Sequence, residues 1–132
     1  MSEMMKAEKR MISTESAPAA IGPYAQGIAF GDLVFTSGQL PINPATGKMP
    51  ATVAEQTRQC LANVREVLEA AGSGMDKVIK TTVFLQDMGS FAEMNGVYAS
   101  FFDQGRVPAR SAVEVARLPK DALVEIEAVA HR

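Results

Sequence analysis

Apolar positions at helical spacing stand out in the middle of the chain. Thr52 and Glu55 match a capping box, in which each side chain bonds a free amide of the first turn. Gly72 is a typical residue just after a helix C-terminus. The pattern therefore predicts an amphipathic helix over residues 53–71. The apolar residues that fall on its buried face are Val53, Cys60, Leu61, Val64, Leu68 and Ala71.

A second helical pattern follows further along the chain. Ser90 and Glu93 again match a capping box. We expect this helix to end near Gly105. Its apolar stripe consists of Phe91, Met94, Val97, Tyr98 and Phe101.

The first apolar runs that lack helical spacing predict a hairpin at residues 25–38. Gly31 and Asp32 separate the two runs, and glycine in the first position suits a type II′ turn. Residues 12–23 form a short extended piece and a bend before it. Residues 40–50 contain several prolines and a glycine, so they predict a loop.

Three more strands are predicted at residues 77–86, 110–117 and 123–130, with a turn at 118–121. The resulting order, ββαβαββ, indicates an α+β fold with a mixed sheet and both helices on one face. A hairpin around the last turn would set Glu114 opposite Glu125, an unfavourable pair of like charges. The pairing of the last two strands is therefore left open.

Two of the predicted strands carry apolar side chains on both faces. In residues 78–85, Ile79 and Val83 alternate with Val78 and Phe84, and residues 123–130 behave alike. Strands of this kind are covered on both sides. Two helices cover only one side, so we expect a second subunit on the other, and hence a homo-oligomer.

The composition is that of one globular domain. The chain has 132 residues, of which 47% are hydrophobic and 21% charged, with a net charge of −2. This balance gives no strong field to attract nucleic acid or an anionic membrane. The basic cluster of Lys6, Lys9 and Arg10 lies in residues 1–11, which we interpret as a flexible N-terminal arm before a domain at 12–132. No apolar stretch resembles a signal peptide or a membrane span, and a single cysteine suits the reducing cytoplasm.

Few residues in the chain suit metal or cofactor chemistry. Cys60 lies on the apolar helix face and is interpreted as an inert core thiol. His131 lies near the end of the chain, so a pair with Cys60 would need a core residue to meet the terminus. One cysteine and one histidine exclude a closed Cys/His zinc site. No phosphate-binding glycine motif occurs. We therefore expect an enzyme of this sequence to need neither metal nor cofactor.

Ionisable residues within the strands are the remaining candidates for chemistry. Arg110 opens one strand, and its guanidinium could bind a substrate carboxylate through two parallel bonds. Glu125 or another strand carboxylate could then deprotonate a water. The alternative is that these are solvated charges on an exposed sheet face. Small apolar residues on what we take to be the same face favour a pocket between subunits. The other residues of this predicted face are Glu114, Glu127, Ala112, Ala116 and Ala128.

Several separated motifs resemble those of the RidA (YjgF) family. The longest is PARSAVEVARLPKD at residues 108–121, continued by EIEA at 125–128. Others are APAAIGPY at 17–24, TSGQ at 36–39 and KTTVF at 80–84. The resemblance covers residues 11–130 in order and spacing. It implies a homotrimer of chorismate-mutase-like subunits, with the sheets facing a central barrel and the sites between adjacent subunits.

The resemblance also implies an activity and a set of site residues. Members hydrolyse reactive enamines and imines, such as 2-aminoacrylate, to 2-oxo acids and ammonia. Arg110 corresponds to the arginine that binds the substrate carboxylate, and Glu125 to the glutamate that handles the attacking water. The implied substrate-binding residues are Tyr24, Ser37, Gly38, Asn95 and Ala112. Tyr24 would close over the ligand, although packing within its loop is the alternative. Many members have cysteine where this chain has Ala112, so any role of that thiol is lost.

Three hypotheses follow. The first is a 2-iminobutanoate/2-iminopropanoate deaminase, which needs both Arg110 and Glu125. The second is a trimeric module that binds 2-oxo acids, or a chaperone, which needs Arg110 but not Glu125. The third is the endoribonuclease role attached to some relatives. An isoelectric point of about 5.4 and the lack of a basic stripe argue against the third.

Overall fold

The fold is built on a central sheet. The structure is a computed structural model, and it describes residues 8–132. In this part of the chain helix α1 spans Val53–Ala70 and helix α2 spans Phe91–Ala99. The strands are β1 Arg10–Ile12, β2 Gly27–Phe30, β3 Leu33–Thr36, β4 Val78–Leu85, β5 Ala109–Glu114 and β6 Val124–His131. They form one six-stranded sheet in the order β1-β2-β3-β6-β4-β5. The predicted α+β class is confirmed.

Strand β6 lies between β3 and β4, so the last two strands of the chain are not neighbours. The predicted turn is present at Pro119–Asp121, but it carries the chain across β4 rather than into a hairpin. β5 pairs with β4 in parallel, which sets Glu114 beside Leu85. β6 pairs with β4 antiparallel, which sets Glu125 beside Phe84. The unfavourable pairing of the two glutamates is thereby avoided.

The first hairpin forms as predicted. Phe30 pairs with Leu33 across a two-residue turn. Gly31 has φ of +60°, whereas Asp32 keeps a negative φ, as a type II′ turn requires. The strand β1 adds to the free edge of this hairpin. It begins at Arg10, within the predicted N-terminal arm, and residues 1–7 of that arm lie outside the described residues.

The N-terminus of α1 is capped by two different elements. Thr52 Oγ1 accepts a hydrogen bond from the Glu55 amide at 3.1 Å, as the first capping box predicts. The carboxylate of Glu93 accepts from the Ala54 amide at 3.0 Å. The predicted second capping box is therefore wrong, because Glu93 caps α1 instead of its own helix. Ser90 has φ of −90° and ψ of 5°, makes no capping bond, and is the last residue of a 3₁₀ turn rather than of extended chain.

Helix α2 is shorter than predicted, ending at Ala99 instead of near Gly105. The Ser100 hydroxyl donates to the Val97 carbonyl at 2.6 Å. The carboxylate of Asp103 accepts from the Gly105 amide at 3.2 Å, within a separate 3₁₀ turn. Local side-chain bonds of this kind compete with continuation of a helix. Met94 and Tyr98 form its buried face.

The hydrophobic core lies between one face of the sheet and the two helices. Val34, Val83 and Ile126 of the sheet and Leu61 and Val64 of α1 are fully buried there. The other face carries no helix among the described residues, yet it exposes Phe30, Leu33, Phe35 and Val113. This arrangement agrees with the apolar pattern on both faces, and the covering subunit stays a prediction. Neither described helix has the length and apolar character needed to cross a bilayer.

Candidate active site

A cavity of about 680 Å³ lies where the bend before β2, the end of β3 and strand β6 meet. Four of the predicted site residues line it: Tyr24, Ser37, Gly38 and Glu125. Its walls also include Pro18, Ala19, Ile21, Leu40, Ile42 and Pro119. A mostly apolar wall with a few converging polar groups is typical of a small-molecule site.

Glu125 is held against the turn that follows β3. The Gln39 amide donates to the Ile126 carbonyl at 2.7 Å, and the Ile126 amide donates to the Gln39 carbonyl at 3.2 Å. These two bonds bring the preceding residues of both segments, Gly38 and Glu125, against each other. A Cβ at residue 38 would stand 2.9 Å from both Cδ and Oε2 of that glutamate. Glycine at this position leaves room for the carboxyl group, and any side chain there would have to displace it.

Ser37 supports the same turn from the other side. Its hydroxyl donates to the Ala25 carbonyl at 2.6 Å, and its amide donates to the Gln26 carbonyl at 2.9 Å. The hydroxyl is thus already bonded to the chain. This side chain fixes the shape of the cavity wall, and its oxygen can still accept a hydrogen bond from a ligand while that bond is kept.

The carboxyl group of Glu125 is harder to ionise than an ordinary glutamate. Partial burial raises its pKa, and the nearby negative charge of Glu127 raises it further. Both effects disfavour the charged form. A carboxyl group with a raised pKa is better matched to proton transfer near neutral pH.

Tyr24 lies at the mouth of the cavity and is about half exposed. Its hydroxyl accepts from the Ile21 amide at 3.3 Å, and its own amide donates to the Gly22 carbonyl at 2.9 Å. Gly22 has φ of +119°, a conformation that other residues rarely adopt. The ring is therefore held by a tight bend. It lines the cavity, and its hydroxyl is bonded to the loop.

Arg110 lies on the helix-covered face of the sheet, away from this cavity. It stands beside Thr81 in the parallel register of β4 and β5. Its Nη1 donates to Oδ1 of Asn95 at 2.6 Å. Ala112, two residues further along β5, shares this face and packs against the core. Arg110, Asn95 and Ala112 thus form one group.

The predicted site residues therefore form two groups on opposite faces of the sheet. Glu125 alternates with the buried Val124 and Ile126, so its side chain lies on the helix-free face. Arg110 contacts helix α2 on the other face. The expectation that Arg110, Glu125 and Glu127 share one face is wrong, because β5 and β6 do not form a hairpin but lie on either side of β4. Arg110 pairs with residue 81 of β4 and Glu125 with residue 84, and these two positions face opposite sides of the sheet. One chain does not bring the two proposed catalytic residues together.

Gln26 was not among the predicted site residues. It lines the cavity and is buried, with Oε1 accepting from the Thr14 amide at 2.7 Å. Its Nε2 donates to the carbonyls of Thr14, Ala17 and Pro18. A polar residue just before an apolar strand was the only available signal, and it is a weak one.

Lys120 and Glu127 also line the cavity beyond the predicted set. Lys120 has φ of +57°, a conformation that costs a non-glycine residue energy. Glu127 alternates with buried residues of β6, so it shares the helix-free face with Glu125.

Cys60 and His131 do not meet. The Cys60 thiol is fully buried and lies 3.5 Å from the Val124 carbonyl. Burial raises its pKa well above the usual value, and the charge of Glu125 adds to the effect. His131 is exposed at the end of β6. In residues 8–132 no cluster of three potential metal ligands occurs.

The architecture defines a class of small α+β proteins, and comparison with known proteins identifies the family. The 2-iminobutanoate/2-iminopropanoate deaminase of Escherichia coli K12 is 54% identical over 125 residues, which is 93% of this chain and 98% of that protein. The crystal structure of the Escherichia coli YjgF gene product has a TM-score of 0.89 at 54% identity, covering 93% of this chain and 98% of that one. That of Escherichia coli TdcF with bound serine has a TM-score of 0.89 at 51% identity and the same coverage.

The endoribonuclease L-PSP family matches residues 14–132. The chain belongs to this family, which is the RidA/YjgF family that its motifs resemble. The family and the fold predicted from the sequence are thereby confirmed.

Proposed function

We propose that this chain is an enamine/imine deaminase that hydrolyses 2-iminobutanoate and 2-iminopropanoate to the 2-oxo acids and ammonia. The observation that carries the proposal is Glu125, a carboxyl group of raised pKa held in a cavity by the turn at Gly38. Relatives at 52–54% identity named as deaminases of this kind bear out the activity predicted from the sequence.

The reaction needs one cation and one proton carrier. Arg110 binds the substrate carboxylate and orients the C=N bond. Starting from the protonated imine, Glu125 takes a proton from water as the oxygen attacks C2, which gives a neutral tetrahedral carbinolamine. Glu125 then returns that proton to nitrogen. As the C–N bond breaks and ammonia leaves, the carbinol hydroxyl gives its proton to Glu125, and the 2-oxo acid remains. The imine carbon is already electrophilic, so these steps draw only on the chain's own residues and water.

The complete site requires two subunits under this proposal. Arg110 with Asn95 and Ala112 would come from one subunit, and Glu125 with Tyr24, Ser37 and Gly38 from the next. A head-to-tail interface of this type forms a ring when the rotation between neighbouring subunits closes. The homotrimer implied by the family satisfies this geometry, and its packing would cover the exposed Phe35 and Val113. We propose the cytoplasm as its location, where such intermediates form.

A coupled assay tests the activity. A threonine dehydratase generates the enamine and imine, and the appearance of 2-oxobutanoate is followed with and without this protein. We expect faster appearance, lost in Arg110→Ala and in Glu125→Ala but kept in Arg65→Ala, an arginine on the outer side of α1. No acceleration by a correctly assembled parent protein would contradict the proposal.

Mixing the two inactive variants tests the shared site. Arg110→Ala and Glu125→Ala subunits are unfolded together and refolded as mixed assemblies. About a quarter of the sites then pair an intact Arg110 with an intact Glu125. We expect a corresponding recovery of activity, and none when either variant is refolded alone. No recovery in mixed assemblies would place both residues in the same subunit's site or exclude them from it.

A binding module for small carboxylates is the second candidate. It is favoured by the structure of the TdcF relative with bound serine, a molecule with a carboxylate. Binding of 2-oxobutanoate that survives Glu125→Ala, together with no turnover by the parent protein, would favour it over the deaminase.

A further inference from the structure

Helix α2 presents three side chains to Arg110 from successive turns of one face. Phe91, Asn95 and Tyr98 are spaced four and three residues apart, so they line up along the helix. The guanidinium carbon lies 4.6 Å from the centre of the Tyr98 ring and 5.4 Å from that of Phe91. Asn95 adds its hydrogen bond to Nη1. We call these three side chains the arginine seat.

The Tyr98 ring is fixed by a bond to the strand beneath it. Its hydroxyl lies 2.6 Å from the hydroxyl of Thr81, and both residues are buried. Thr81 is the direct neighbour of Arg110 in the sheet. The ring is therefore tied to the same point of the sheet from which the arginine side chain rises.

The seat holds the guanidinium without neutralising it. Within residues 8–132 no carboxylate forms an ion pair with Arg110. Its partners are two aromatic rings and one neutral amide, which attract a cation but leave its charge free. An acidic partner would have ordered the side chain equally well and would then have competed with a substrate carboxylate.

We propose that Tyr98, locked by Thr81, is a positioning residue that aims Arg110 at the substrate carboxylate. This inference rests on the proposed function for the role of Arg110. Because the pair acts through the arginine, its loss should weaken carboxylate binding much more than the chemical step.

Kinetics of three variants and one control test the role. Tyr98→Leu removes the ring, and we expect KM for 2-iminobutanoate to rise about tenfold while kcat changes little. Val67→Ala is the control, since Val67 is equally buried but packs under Gly27 at the far side of the sheet. It should lower Tm and leave KM unchanged. A KM for Tyr98→Leu equal to that of the control overturns the proposal.

The double variant separates positioning from simple stability. Tyr98→Phe leaves the Thr81 hydroxyl buried without a partner, which lowers Tm. Adding Thr81→Val removes that hydroxyl, so Tm should recover. KM should stay raised in both, because the ring is no longer tied to the sheet. Recovery of KM together with Tm would show a merely structural role and overturn the proposal.

An NMR measurement makes the result independent of turnover. The Nε–Hε signal of Arg110 is assigned by its loss in Arg110→Lys. We expect slow exchange with solvent in the parent protein and fast exchange in Tyr98→Leu, with Val67→Ala like the parent. An unchanged exchange rate in Tyr98→Leu would overturn the positioning role of Tyr98, whatever the enzyme assay shows. A parent protein that shows the expected exchange rates but no deaminase activity would contradict only the proposed function.

Discussion

Gly38 and Glu125 approach each other so closely that no side chain fits between them. A Cβ at residue 38 would stand 2.9 Å from the Cδ and Oε2 atoms of Glu125. The groups that would collide are at the end of a flexible side chain. A substitution at residue 38 should therefore displace the carboxyl group and leave the backbone in place.

Gly38→Ala is expected to lower deaminase activity by about 10- to 100-fold, because a displacement of about 1 Å at a reacting group has effects of this size. Tm should change little. The coupled assay and thermal denaturation measure the two quantities. Gly105→Ala is the control, since a Cβ there meets nothing within 4 Å. Full activity of Gly38→Ala would show that the carboxyl position is not critical.

Glu125→Gln should make the protein more stable at neutral pH and much less active. Burial and the charge of Glu127 raise the pKa of Glu125, so the folded state holds this proton more tightly than the unfolded state. The stability of the parent protein therefore falls as pH rises from the ordinary carboxyl pKa to the raised one. Glutamine has no such loss, while general acid–base help worth about 10²- to 10⁴-fold disappears.

Thermal denaturation of parent and Glu125→Gln at one protein concentration checks the stability effect. We expect a higher Tm for the variant at pH 7 and no difference at a pH below the carboxyl range. A lower Tm for the variant at pH 7 would mean that the ionised carboxylate is stabilised in the fold.

Glu127→Gln should shift the pH profile of the enzyme. The negative charge of Glu127 is the second cause of the raised pKa of Glu125, so its removal lowers that pKa. If Glu125 acts as the base, the acidic limb of the kcat/KM profile moves to lower pH. The profile is measured with Glu66→Gln on α1 as the control. An acidic limb that does not move would show that the activity does not follow the ionisation of Glu125.

Asn95→Asp should weaken substrate binding without unfolding the protein. The new carboxylate would stand where Oδ1 now lies, 2.6 Å from Nη1 of Arg110. It would pair with the guanidinium and compete with the substrate carboxylate, so KM should rise about tenfold or more. Asn43→Asp, in the loop before α1, is the matched control and should leave KM unchanged. An unaltered KM for Asn95→Asp would argue against Arg110 as the carboxylate site.

Signals from neighbouring residues predicted much of the fold. Thr52 caps α1, Gly31 forms the type II′ turn, and apolar spacing identified the buried face of α1. The family motifs also named Tyr24, Ser37, Gly38 and Glu125, which line one cavity. The capping role of Glu93 was missed, because its partner Ala54 lies 39 residues away in the sequence.

Patterns in the amino-acid sequence were enough to predict the helices, the hairpin, the two-faced apolar character of the strands and the family. The helices, the hairpin and the strand pattern depend on hydrogen bonds and periodicities within a few residues, and the family is identified by motifs that are contiguous in the sequence. The position of β6 between β3 and β4 is visible only in the folded chain, and with it the placement of Arg110 and Glu125 on opposite faces of the sheet. Strand order depends on the free energy of long-range pairing and packing. A residue's face is known only when that order and its register are known.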